Sequence, residues 1–205
     1  VLAVTTQLTR LCAQFEDGKI IKGESKIDLC EERRPESYIK RIWHEPAVSC
    51  DADVFAAIIN ADFLIIGPGD LYTSVITNLL VKNIRKAINL SRAKVIYICN
   101  LMTEPGETFN YDAARHVKEI VKYMQADRLD YVLVSNTRVS AEAIRRYAKK
   151  HQSLVSLGDM QDLWESTKAK VIVADVGDVS ELVRHHQEKL MFEIEEIIRL
   201  SNYAR

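Results

Sequence analysis

The sequence predicts an α/β fold: a mainly parallel sheet with helices on both faces, plus a β-hairpin near the amino end. Three observations predict it. Two apolar runs of strand length, Phe63 to Ile66 and Val95 to Cys99, each empty into a polar loop that carries glycine. Between them Val75, Ile76, Leu79, Leu80, Ile84, Ala87 and Ile88 recur at helical spacing. Strands then continue to alternate with helices to the carboxyl end, and strands joined by helical crossovers run parallel. The expected domain is Rossmann-like and single, spanning residues 1–205.

In chain order, Val1 to Thr5 reads as a first strand. Leu11 to Phe15 and Lys19 to Gly23 flank Glu16-Asp17-Gly18, and Asp-Gly between two short alternating runs signals a hairpin. Glu31 to Glu36 is a mixed charge run with a proline, the composition of a solvated loop. Ile39, Ile42 and Trp43 suggest a strand before Pro46, and Cys50 to Asn60 a short amphipathic helix. After the central strand, turn and helix comes the second strand, then the loop Asn100 to Thr108. Tyr111 to Tyr123 is the next helix, with Asp112 near its positive end. Tyr131 to Ser135 is a strand. Ser140 is an N-cap for a helix holding Glu142, Ile144 and Tyr147 and ending in Lys149-Lys150-His151. Leu154 to Leu157 and Val171 to Ala174 read as two more strands, and His186 to Leu200 as a final amphipathic helix.

A formal net charge of −1 asks for neither nucleic acid nor an anionic membrane surface. No apolar run approaches the roughly 18 residues of a membrane span, and no signal peptide precedes the first strand-like run, so a cytoplasmic protein is expected. Cys12, Cys30, Cys50 and Cys99 have no CxxC spacing, which suits reduced thiols better than a zinc site or a disulfide framework. Val1 is not a methionine and opens directly into a strand-like run; the chain reads as a fragment.

In an open α/β sheet, ligands bind at the carboxyl edge, where both polar loops are expected. Gly67 and Gly69 allow close backbone approach, and Asp70, Thr73 and Ser74 supply polar groups at a helix start. Asn100 and Thr103 follow a strand directly and are sited to hydrogen-bond a polar ligand. The same residue types also make turns and caps for purely local reasons. Cys99 closes an apolar run and reads as a small buried side chain, and His116 as a helix-surface residue without a role. No acid/base pair, nucleophile set or metal-ligand spacing stands out, so no catalytic or metal residue is assigned. No GxGxxG follows a strand, which ranks a dinucleotide-dependent oxidoreductase last.

The segment GPGDLYTS followed by NLL, then YICNLMTEPGET with Tyr111 and His116 behind it, resembles the signature segments of the gluconeogenesis-factor proteins (YvcK-like), within the superfamily of 2-phospho-L-lactate transferase (CofD-like). The resemblance spans nearly the whole chain, with Thr77 standing where the family usually carries proline. It implies that residues 1–205 are the carboxyl portion of a larger CofD-like domain whose glycine-rich phosphate loop lies upstream. It also implicates Tyr147, in Arg145-Arg146-Tyr147-Ala148, and Arg184, in Val183-Arg184-His185, in UDP-sugar binding; His186 replaces the aspartate usual there. The implied protein is a nucleotide-sugar-binding regulator required for cell shape and cell-wall synthesis during gluconeogenic growth. Its expected partner is that small molecule, with no nucleic acid, no membrane, and homo-oligomer formation left open; no cofactor beyond a UDP-sugar ligand is called for. The rival is a magnesium-dependent transferase moving a phospholactyl-like group onto a deazaflavin acceptor, as elsewhere in the superfamily.

Overall fold

Residues 1–29, 34–125 and 128–203 are described by a computed structural model of the chain. The amino-terminal part holds β1 (Arg10–Phe15), β2 (Ile20–Lys22), α1 (Glu24–Asp28) and β3 (Ile39–Glu45). The expected hairpin forms, with Gly18 at φ 86 in the turn and the Phe15 amide bonded to the Lys19 carbonyl at 2.9 Å. It joins β3 in an antiparallel sheet of order β2-β1-β3. The expected strand at Val1 to Thr5 does not form. Its β-branched composition suits a strand, but among the described residues it pairs with no strand, and Thr5 instead donates its hydroxyl to the Ser49 carbonyl at 2.8 Å. Glu31, Glu32 and Arg33 of the charge run Glu31 to Glu36, and Cys30, lie outside the described residues.

The second sheet is parallel, in the order β4-β5-β6-β7. Helix α2 (Ala52–Ile59) leads into β4 (Phe63–Ile66). The segment after β4 departs from a single helix. It is a π-helix, Leu71–Ile76, continuing into the short α3 (Thr77–Leu79), then a break, then α4 (Ile84–Leu90). At the break Lys82 donates its amide to the Val48 carbonyl at 2.9 Å and accepts the Cys50 amide at 3.0 Å, while Asn83 turns left-handed at φ 73. A lateral backbone pairing thus interrupts the helix, yet Val75, Ile76, Leu79, Ile84, Ala87 and Ile88 are all buried as their spacing requires.

Then follow β5 (Lys94–Ile98), α5 (Ala113–Met124), β6 (Tyr131–Ser135), α6 (Ala141–Ala148), α7 (Met160–Glu165), β7 (Lys170–Ala174), the two-residue strands β8 (Gly177–Asp178) and β9 (Arg184–His185), and α8 (Gln187–Tyr203). The expected caps are in place: the Asp112 carboxylate accepts the Arg115 amide and the Ser140 hydroxyl accepts the Ala143 amide. Leu154 to Leu157 is not a strand. Leu154 makes one isolated antiparallel bridge to Met102, and Val155 and Ser156 bond to Leu101 and Ala113 across the loop after β5. The sheet has two dry faces. Val95, Tyr97, Val132 and Val134 face the larger core, and Leu133 packs with Leu101, Val176 and Leu190 of α8 on the other side. The interior strand β5 is buried from Val95 to Ile98, as a strand covered on both faces must be. Among the described residues no helix is long and apolar enough to cross a membrane.

Candidate functional site

β4 and β5 end side by side, so their loops share the sheet's carboxyl edge. Gly67 leaves β4 at φ +79, and a Cβ there would meet the Ile98 carbonyl oxygen at 3.0 Å, so the turn requires glycine. Gly69 is also tight, an added Cβ meeting Ser74 Cβ at 3.2 Å. The Asp70 carbonyl accepts the amides of Ser74 at 2.9 Å and Val75 at 3.0 Å, which starts the π-helix. Its carboxylate makes no cap bond to that helix. Ser74 is exposed and, with Gly67, Pro68 and Asn78, lines an open recess of ≈ 370 Å³.

Thr73 sits differently. It is buried and donates its hydroxyl to Glu107 Oε1 at 2.8 Å, while Glu107 Oε2 accepts the Tyr72 amide at 3.1 Å. Glu107 is the residue that sequence reasoning missed. From the second loop it caps the first turn of the π-helix, the role Asp70 leaves unfilled. Asn100 completes the link between the loops, donating Nδ2 to the Gly69 carbonyl at 2.8 Å, with Oδ1 buried and unpartnered. Thr103 is wholly buried. Its oxygen accepts the Ser153 amide at 2.9 Å and lies 3.2 Å from the Ser153 hydroxyl, so it fastens the loop to the segment after α6.

That segment leads to the other expected residues. Gln152 donates to Glu104 Oε2 at 2.8 Å and its amide bonds the Tyr147 carbonyl at 3.2 Å. The half-buried Tyr147 accepts the Val183 amide on its hydroxyl at 2.9 Å. Arg184 follows on β9, exposed, its Nε 3.6 Å from Asp178 Oδ2, beside an open recess of ≈ 590 Å³ lined also by His185, His186 and Gln187. Hydrogen bonds therefore connect the Gly67 turn, the Asn100 loop, α6 and the β8–β9 hairpin in series. Contact between Arg184 and the Gly67 turn is not among them.

The edge is acidic. Burial pushes the Asp70 and Glu104 carboxyls up, with charge repulsion from Asp28 adding at both. Burial pushes Glu107 up to about 7, against its two hydrogen bonds and with Asp70 and Asp28 adding to the rise. Among the described residues no group of three or more His, Cys, Asp or Glu side chains could hold a metal ion. Burial drives the Cys99 thiol up to about 12, which keeps it protonated and unreactive. His116 is wholly buried rather than on the helix surface; burial lowers it to about 4, with one ring nitrogen 2.8 Å from the Asp112 carbonyl and the other unpartnered. Cys12, Cys50 and Cys99 are free thiols.

Comparison with known proteins agrees with this architecture. The sequence profile of the family described as "2-phospho-L-lactate transferase CofD" matches residues 1–177, leaving Arg184 and α8 beyond the match. The chain is 34% identical over 191 residues to the "Gluconeogenesis factor" of Bacillus subtilis (strain 168), covering 93% of this chain and 58% of that protein. A Thermotoga maritima protein named for the same factor is 38% identical over 202 residues, covering 97% of this chain and 62% of its own length. The crystal structure of BH3568, a UPF0052 family protein from Bacillus halodurans, superposes with a TM-score of 0.85 at 33% identity, over 95% of this chain and 60% of the other. The chain thus spans about three fifths of the length of these relatives. With a profile match over most of its residues, and a shared fold, the chain belongs to the CofD family and is akin to its gluconeogenesis factors.

Proposed function

We propose that the chain forms one cleft of a cytoplasmic regulator that binds a nucleotide-sugar of the UDP type. The observation that carries this reading is the series of hydrogen bonds running from the Gly67 turn to the Arg184 hairpin. One end offers glycine backbone, Asp70 and Ser74; the other offers an exposed guanidinium. A guanidinium binds a diphosphate bidentately, and a carboxylate accepts from sugar hydroxyls. Asn100, bonded to the Gly69 carbonyl, adds an unpartnered Oδ1 beside the first end. Thr73 and Thr103 serve by fastening the loops. The relatives' names support a place in gluconeogenic metabolism, and a requirement in cell shape and cell-wall synthesis under gluconeogenic growth belongs to the same proposal. Because the relatives are longer, the activity is that of the whole protein.

Calorimetry on the full-length protein with UDP-N-acetylglucosamine tests the reading: saturable binding is expected, and no saturation at millimolar ligand sinks it. Arg184→Ala should then weaken binding by about 1.5–3 kcal/mol, the worth of a hydrogen bond to a charged group. Unchanged affinity removes Arg184 from the site. The family description favours a second reading, a transferase acting on a deazaflavin acceptor. Product formation from donor, acceptor and magnesium by the intact protein would favour that reading.

A further inference from the structure

We infer that Tyr147 is a positioning residue: its hydroxyl holds the hairpin that carries Arg184, and so sets where that guanidinium meets the diphosphate of a nucleotide-sugar. The inference rests on the ligand reading above. A tyrosine in a nucleotide-sugar site is expected to stack on the base or to bond the sugar, and three observations point elsewhere. The Tyr147 oxygen already accepts the Val183 amide at 2.9 Å, one residue before Arg184. The Arg146 guanidinium lies 5.5 Å from the centre of the Tyr147 ring, and the ring also lines an apolar recess of ≈ 210 Å³ with Met102, Val139, Ile144 and Leu154. The hydroxyl is therefore tied to the hairpin backbone as an acceptor, and the ring lies against Arg146 and the recess.

The hairpin is built to need such a hold. Only two residue pairs, Gly177 with His185 and Asp178 with Arg184, join β8 to β9, so its own backbone pairing is weak. Its base is seated firmly. The Gly177 amide bonds Thr137 Oγ1 at 2.8 Å, an added Cβ at Gly177 would meet Thr137 atoms at 2.6 Å, and the His186 amide bonds the Val176 carbonyl at 2.8 Å. The connection between the strands has two ties to α6. Arg146 donates to the Glu181 carbonyl at 2.7 Å, and Tyr147 takes the Val183 amide. Of the two, the Tyr147 tie is adjacent to Arg184. Arg184 itself is exposed, and its ion pair among the described residues is the long one to Asp178 at 3.6 Å, so the side chain has little else to direct it.

Tyr147→Phe removes the tie and keeps the ring in the recess. In the full-length protein without ligand, Val183 amide exchange should speed up about twofold to tenfold, the worth of a lost hydrogen bond of this kind. Affinity for UDP-N-acetylglucosamine should fall about threefold to tenfold. In an Arg184→Ala background the same change should have no further effect, because a residue acting through Arg184 has nothing left to position. Equal loss in both backgrounds overturns the inference and makes Tyr147 a direct ligand contact. Unaltered Val183 exchange in Tyr147→Phe also overturns it, whatever the ligand. Absence of nucleotide-sugar binding in the wild-type protein overturns the ligand reading; the hold on the hairpin is then decided by Val183 exchange alone.

Discussion

At the scale of single residues, two buried ionisable groups near the loops, Glu107 and His116, oppose one another in their effect on stability. Glu107 is raised in the folded protein, so its ionisation is disfavoured there and stability falls as pH rises from its unfolded value, about 4.3, to about 7. His116 is lowered to about 4, so its protonation is disfavoured and stability falls as pH drops through the range from 6.5 to 4. The slopes overlap and offset. Glu107→Gln should therefore make the melting temperature rise with pH between about 4.5 and 6.5, steeper than in the wild-type protein. An unaltered pH profile in that variant would mean Glu107 is ionised at no folding cost. Gly67→Ala places a Cβ 3.0 Å from the Ile98 carbonyl at a positive φ, and should cost about 1–3 kcal/mol in urea denaturation. The caps at Asp112 and Ser140 were legible because each partner lies three residues away. The bonds from Tyr72 and Thr73 to Glu107 were not, since they join residues 35 and 34 positions apart. His116 had a readable signal: it falls three residues after Ala113 and four before Ile120, on the buried stripe of α5.

Among the elements, the parallel strands were legible because an interior strand is covered on both faces and so reads as an apolar run, as β5 does from Val95 to Ile98. Ile96→Ala there should destabilise by about 2–5 kcal/mol, whereas Leu90→Ala, 61% exposed at the end of α4, should cost no more than about 0.5 kcal/mol. Similar costs for the two by urea denaturation would contradict the central place of β5. Val1 to Thr5 and Leu154 to Leu157 misled because a strand is defined by its partner. Apolar alternation states which face is dry, not whether an edge is free to pair. The break between α3 and α4 was hidden for a related reason. The apolar spacing continues across it, and only the lateral pairing of Lys82 with Val48 and Cys50 reveals it.

For the whole molecule, the sheet edge is a surface that connects its elements. Asn100 and Glu107 bind the second loop to the first, Thr103 and Gln152 bind it to α6, and α6 binds the hairpin. Sequence alone placed both loops on one edge but could not join them to Tyr147 and Arg184, because those links pass through the backbone amides of Ser153 and Val183, which no sequence spacing pairs with Thr103 and Tyr147. The central claim is that both ends of this chain of bonds serve one ligand. An NMR titration of the full-length protein with UDP-N-acetylglucosamine tests it most directly. The account predicts that the amide resonances of Gly69, Asn100 and Arg184 all shift and follow a single saturation curve. Movement of the Gly69 turn without Arg184, or of Arg184 without Gly69, would contradict it.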